Sequence, residues 1–235
     1  MKLMKHYGKK FQLIKELINK EDPLIVEVGA HYGEDTLRFL ETFPNANIHC
    51  FEPDDRNIKI FNQTVSDKRV VLYQSALSNK NGKVRFYKSF TEYETNNVPE
   101  KYDFISIDDY QNNLLHNSGS SSIKKGYTNC LSEEYYVQTI RFDDWYNNNK
   151  IGTIDFVWID VQGAEYEVID GMGATIQKIS YIWMEYGEDE YNGALSRDQT
   201  IELLFSKNFS VVKYISSNGT KGDLMFQNNL INDIC

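Results

Sequence analysis

Only three cysteines, Cys50, Cys130 and Cys235, occur in the 235 residues, and no two have the close C-x-x-C spacing of a metal or redox motif. That count excludes a disulfide framework and leaves reduced thiols, with Cys50 inside a predicted core strand. Histidine is equally sparse: His6, His31, His49 and His116 fall at no metal-ligand spacing, so no residue is assigned to a metal. Neither a G-x-S-x-G elbow nor an H-E-x-x-H motif is present. Adjacent His49 and Cys50 point to opposite faces of a strand, which leaves hydrolytic chemistry without a nucleophile pair. Long apolar runs are missing as well. The opening "MKLMKHYGKKFQLIKELINK" is broken every few residues by Lys, Glu or His, which gives no signal-peptide core and no membrane span and predicts a cytoplasmic setting. Positive charge is in deficit, 25 Lys and Arg against 34 Asp and Glu, for a formal net charge of −9. The chain thus lacks the basic footprint that dominates nucleic-acid affinity, and no nucleic-acid partner is expected.

What is present is a globular composition, 41% hydrophobic and 25% charged, in a length that suits one domain over residues 1–235. Phe11, Leu13, Ile14, Leu17 and Ile18 recur at helical spacing, so residues 1–22 read as an amphipathic lead-in helix stopped by "EDP". Strand then helix follows twice: Leu24–Val28 and a helix from Gly33 to about Phe43, then "NIHCFE" and a helix from Asp54 to about Thr64. That alternation predicts parallel pairing with crossover helices. A third strand, "RVVLYQSAL", is predicted to form a hairpin with "KVRFYKS" across "SNKNG", where Asn81-Gly82 suits a tight turn. From about 90 to 130 the sequence turns polar and loses its period, as expected of an inserted loop or lid. After it come "TIRFDDWYNNN", the apolar strand "IDFVWID", a helix from about Ala164 to Ile169, the strand "YIWMEY", a helix near Ser196–Ser206 and the closing pair "FSVVKYI" and "GDLMFQN". The predicted fold is α/β: a mostly parallel, Rossmann-like sheet with helices on both faces and a late antiparallel hairpin.

In such a sheet the ligand binds beyond the carboxyl ends of the strands, so the first strand-to-helix loop, "EVGAHYG", is the place to look. A dinucleotide fingerprint started at Gly29 meets His31 and Glu34 where glycines belong, and Glu34 and Asp35 in the first helical turn oppose a phosphate. The loop calls for a ligand without phosphates, and S-adenosylmethionine is one. Glu27 would hold its amino-acid end, directly or through water. Glu52, ending the second strand in "CFEPD", would accept hydrogen bonds from the ribose hydroxyls; Pro53 takes the chain out of the sheet and Asp54 caps the next helix. Asp160 and Glu185 end neighbouring strands and point into the same crevice, while Glu165 at the start of a helix is equally well placed to complement its dipole. Tyr93, Tyr102, Tyr110 and Tyr127 in the polar insert could wall a substrate site or simply face solvent.

The runs "VEVGAHYGEDTLRF", "HCFEPD", "SALSNKNGKVRFY", "SGSSSI", "FDDW", "DFVWIDVQGAEYEVIDG" and "WMEY" occur in that order from about Ile25 to Phe226. In them the chain resembles the FkbM family of S-adenosylmethionine-dependent methyltransferases. The resemblance implies a class I methyltransferase fold and O-methylation of a hydroxyl on a glycan, sugar or other small molecule. It implies Glu27, Gly29, Ala30 and Gly33 as the first cofactor motif, Glu52 and Pro53 at the ribose, Ser75 and Ala76 at the adenine edge, and Asp160 near the methyl group. Trp158 and Gln162 stand where family members usually have Lys and Glu. For the chemical step a base must share the hydroxyl proton: Asp160, Glu185 and His31 are the candidates. A magnesium-type ion held by Asp160 and Glu185 is the alternative, disfavoured because two carboxylates are too few ligands. Two other readings stay open, a NAD(P)-dependent Rossmann oxidoreductase and a non-catalytic module that keeps the S-adenosylmethionine fold.

Overall fold

The computed structural model describes residues 4–90, 98, 99, 102, 105–112, 117–127, 131–188, 190–216 and 220–231. Its first half runs α1 (Met4–Ile18), β1 (Leu24–Val28), α2 (Glu34–Thr42), β2 (Asn47–Phe51), α3 (Asp55–Thr64), β3 (Val70–Tyr73), β4 (Ala76–Ser78) and β5 (Gly82–Phe90). The second half runs α4 (Ile107–Asn112), β6 (Leu131–Arg141), α5 (Phe142–Asn148), β7 (Ile154–Ile159), α6 (Glu165–Met172), β8 (Ile179–Gly187), α7 (Arg197–Phe205), β9 (Phe209–Ser216) and β10 (Lys221–Asn228). Among the described residues no helix is long and apolar enough to cross a membrane.

Seven strands form the main sheet in the order β3-β2-β1-β7-β8-β10-β9, with β10 antiparallel to both its neighbours. The predicted mostly parallel sheet with a late hairpin is therefore what the chain builds. Helices cover both faces. Phe11 and Ile14 of α1 pack with Phe39 of α2, Phe61 of α3 and Trp158 on one side, while Trp145 of α5, Val168 and Met172 of α6 and Leu204 of α7 pack on the other. β1 is flanked by β2 and β7, and the chain leaves it in opposite directions on its two sides, which opens a crevice beyond its carboxyl end.

The predicted strand "RVVLYQSAL" is two strands in two sheets. It breaks at Ser75, whose N–H donates to the carbonyl of Tyr73 at 2.9 Å, and β4 then joins a separate sheet of order β4-β6-β5. The predicted hairpin does not form either. β6 lies between β4 and β5, parallel to the first and antiparallel to the second, so that Thr139 faces Ala76 on one side and Gly82 on the other. Asn81 serves this arrangement: its Oδ1 accepts from the Arg141 N–H at 2.9 Å and its Nδ2 donates to Asp144 at 2.5 Å. The turn residue fastens the far end of β6 instead of closing a two-residue loop.

Register across the main sheet aligns the site. Glu27 pairs with Trp158, Trp158 with Trp183, and Trp183 with Met225, which makes one row across β1, β7, β8 and β10. Side chains repeat every second residue along a strand, so the next row on the same face holds Gly29, Asp160, Glu185 and Asp223. A mainly apolar row thus lies beneath an acidic one.

Candidate active site

A cavity of about 620 Å³ opens over these two rows, a volume suited to a small-molecule ligand. Glu27, Gly29, Ala30, His31 and Glu52 line it, as do Pro53, Ala76, Asp160 and Glu185. The two predicted positions off its wall are Gly33 and Ser75. Gly33 has φ +86°, and a β-carbon there would stand 2.4 Å from Val65 Cγ2, so its place is helix packing. Ser75 is buried beside Ala76, and its hydroxyl has no hydrogen-bond partner among the described residues.

Each acid has a distinct setting. Glu27 is 1% exposed and accepts from Thr36 Oγ1 at 2.5 Å and Cys50 Sγ at 3.4 Å, and burial raises its pKa well above the usual carboxylate value. Glu52 ties two loops together: Oε2 accepts the His31 N–H at 2.8 Å, and Oε1 accepts the Asp54 N–H at 2.8 Å and Asn57 Nδ2 at 3.3 Å. Burial, with the charge of Asp54 beside it, pushes its pKa up to about 7. Asp54 caps α3 as expected, accepting the Arg56 N–H at 3.0 Å.

On the opposite wall Gln162 bridges two of the three catalytic candidates, Asp160 and Glu185. Its Nε2 donates to Asp160 Oδ1 at 2.5 Å and to Glu185 Oε2 at 3.0 Å, and its Oε1 accepts the Tyr191 hydroxyl at 2.8 Å. Burial and the charge of Asp160 raise the Glu185 pKa far above the carboxylate range. Burial raises that of Asp223 too. Glu165 is turned away from chemistry: its Oε1 accepts the N–H groups of Val161 at 3.3 Å and Gly163 at 3.2 Å, which shapes the loop carrying Asp160 and Gln162. Among the described residues no group of three His, Cys, Asp or Glu side chains is arranged to hold a metal ion.

His31, in the left-handed region with φ 50°, contacts Glu34 Oε1 through Nδ1 at 2.8 Å and Ser118 Oγ through Nε2 at 3.1 Å. Ser118 in turn lies 2.5 Å from the Tyr32 hydroxyl. The insert therefore reaches the site through residues 117–123, and Tyr102 and Tyr110 also line the cavity. Tyr127 does not; it is exposed and donates to Asn192. Tyr93 and much of the predicted lid lie outside the described residues. Among the lining residues that the sequence reading missed are Lys10 on α1, Asn57 on α3 and Asp223 on β10. Asp223 was findable, because an antiparallel strand beside "YIWMEY" aligns the Asp of "GDLMF" with Glu185.

The Methyltransferase FkbM domain model matches residues 27–212. The chain belongs to the FkbM methyltransferase family. It is 32% identical over 225 residues to the 2-O-methyltransferase NoeI of Sinorhizobium fredii (strain NBRC 101917 / NGR234), covering 92% of this chain and 83% of that protein. Among solved structures, an rRNA methylase from Streptococcus thermophilus superposes with a TM-score of 0.50 at 8% identity, with 94% of each chain covered, and that likeness shows the fold alone. The protein is an S-adenosylmethionine-dependent methyltransferase of class I fold, and family and relative together support O-methylation over the oxidoreductase and the non-catalytic module.

The cavity suits that cofactor. Asn57 on the cavity wall is 2% exposed, next to Glu52, and its Oδ1 has no hydrogen-bond partner among the described residues. Buried acceptors left open at the edge of a cavity are matched by ligand hydroxyl and amine donors. No phosphate is invited, since Glu34, Asp35 and Glu52 crowd the loop where one would sit.

Proposed function

We propose that this methyltransferase acts on a hydroxyl oxygen of a sugar-like or other hydroxyl-bearing small molecule, with Asp160 taking the hydroxyl proton. The observation that carries the reading is the Gln162 amide, which joins Asp160 and Glu185 on the cavity wall at 2.5 and 3.0 Å. When bound, S-adenosylmethionine supplies an electrophilic methyl group on a sulfonium. Everything else falls to the chain.

Glu52 and Asn57 would hold the ribose hydroxyls, since Oε1 of Glu52 already accepts two hydrogen bonds while Oε2 accepts one and Oδ1 of Asn57 none among the described residues. Glu27 sits at the floor beneath the amino-acid end. At the acceptor side Glu185 keeps its proton at neutral pH and Gln162 fixes the Asp160 carboxylate, which is left to accept the acceptor's proton. His31 serves less well, because both ring nitrogens already face Glu34 and Ser118. An N–H₂ donor between the two carboxylates also counts against magnesium there, since a hard ion takes oxygen ligands. Tyr102, Tyr110 and Ser120 line the cavity, and a polar, aromatic wall of this kind suits a polyol. A relative whose name places its methyl group on oxygen supports the same class. In this reading the insert of about 90–130 is a lid over the acceptor, within one domain spanning 1–235.

The test is transfer from labelled cofactor to a panel of saccharides and hydroxylated small molecules, with Asp160→Asn and Glu185→Gln, each with and without EDTA. Asp160→Asn is expected to lose about 100-fold or more in kcat while still binding cofactor, and chelation to change nothing. Abolition by EDTA with rescue by magnesium would transfer the chemistry to a metal. Full activity of Asp160→Asn would remove it as the base.

A further inference from the structure

We infer that Lys10, on the helix that precedes the family-matched region, is the cation that binds the carboxylate at the amino-acid end of the cofactor. The inference rests on the cofactor reading above. The ammonium of Lys10 lies over the indole of Trp158 at 3.8 Å and near that of Trp183 at 4.8 Å, two rings stacked on each other with centroids 5.3 Å apart. Trp158 is the register partner of Glu27, so the ammonium stands above the row on whose Glu27 the amino-acid end is placed. Cation–π contact holds it there and leaves its hydrogen-bond donors to a ligand.

Charge balance gives the reason. Asp35, Asp160 and Asp223 line the same cavity, beside a Glu185 that keeps its proton and a Glu27 whose burial favours its neutral form. Carboxylates suit the ammonium and sulfonium of the cofactor, but by themselves they repel its carboxylate. Two cations line the wall. Arg38 is engaged, with Nη1 on Asp35 Oδ1 at 2.7 Å. Lys10 makes no ion pair with any described residue, although Asp35 and Asp223 both feel its charge. Phe11, the next residue, anchors the helix by packing on Phe39 at 5.0 Å and on Trp158 at 6.2 Å between ring centroids, which sets where Lys10 falls. The residues before the family match thus complete the cofactor site.

A thermodynamic cycle isolates the contact. Calorimetry would compare S-adenosylhomocysteine with its decarboxylated analogue, S-adenosyl-3-thiopropylamine, on the wild type, Lys10→Met and Lys10→Arg. Met keeps the stem on Trp158 and removes the charge. Lys10→Met is expected to weaken S-adenosylhomocysteine by about tenfold or more, to leave the decarboxylated ligand unchanged within about twofold, and to be largely rescued by Arg. Equal weakening of both ligands would reduce Lys10 to packing, and no weakening of either would free the carboxylate of it; each overturns the inference. A wild type that binds neither ligand would instead remove the cofactor reading itself, before any variant is compared.

Discussion

Gly29 backs so closely onto the end of β7 that a β-carbon on it would lie 1.8 Å from the carbonyl oxygen of Asp160. Its φ of +92° adds a second reason for glycine, because side chains rarely adopt it. The first loop and the Asp160 loop are therefore seated on each other, and the cavity between β1 and β7 depends on that contact. Gly29→Ala must push the two strand ends apart. It is expected to destabilise by more than about 3 kcal/mol in urea unfolding, well beyond an ordinary surface change. A loss under about 1 kcal/mol, the scale of a surface change, would mean the loops part freely.

Gln162 keeps two carboxylates together by donating to both. Gln162→Glu replaces that donor with a third acid. The folded protein would then hold protons that the unfolded chain releases, so its stability falls as pH rises. Relative to wild type, the variant is expected to be near-neutral at pH 5 and about 1–3 kcal/mol less stable at pH 8, with methyl transfer impaired at the higher pH. Parallel denaturation curves at the two pH values check the sign; equal losses at both would show that repulsion is not the cause.

Glu165 fastens the same loop by accepting two backbone N–H groups from a buried position. Truncation to Ala strands both donors, at a cost of about 2–3 kcal/mol. The loop it shapes carries Asp160, so transfer is expected to fall along with stability. A variant as stable as wild type would assign those N–H groups another partner.

How much of this was legible in the chain differs by level. The strands that end in Glu27, Glu52, Asp160 and Glu185 were readable, because apolar runs closed by an acid, Gly or Pro announce both the strand and its exit from the sheet. Local pattern failed at Asn81-Gly82. A turn signal says that the chain reverses, but not which strand fills the gap, and β6 arrives there from some fifty residues later along the chain, a separation no local propensity reports. Polar "LSEEYY" hid that strand further, since residues 132–136 are all exposed and the alternation of a half-buried strand begins only at Val137. Lys10 was invisible for a different reason. On a surface helix one lysine among several carries no signal until packing of Phe11 fixes which one meets Trp158. Glu165 was ambiguous because an acid at a helix start serves the dipole or the preceding loop equally well, and only the hydrogen bonds decide.

The buried Glu52 sets a pH dependence with two halves. Its folded pKa of about 7 stands above its ordinary value of 4.5, because burial disfavours the charged form. Between those values the folded chain holds a proton that the unfolded chain has released, so the contribution of Glu52 to stability declines as pH rises from about 4.5 to 7 and is constant above it; the span is on the order of 3 kcal/mol. Ribose hydroxyls donate to the ionised carboxylate, so binding runs the other way. Affinity for S-adenosylhomocysteine is expected to rise by up to about tenfold per pH unit toward pH 7 and then level off, with a proton released on binding below that point. Glu52→Gln has nothing to titrate, and both dependences should flatten in it while affinity falls at every pH. Calorimetry in two buffers of different ionisation enthalpy reads the proton directly. Affinity that is flat from pH 5 to 8 in the wild type, or that keeps its slope in Glu52→Gln, would place the ribose contact on another residue.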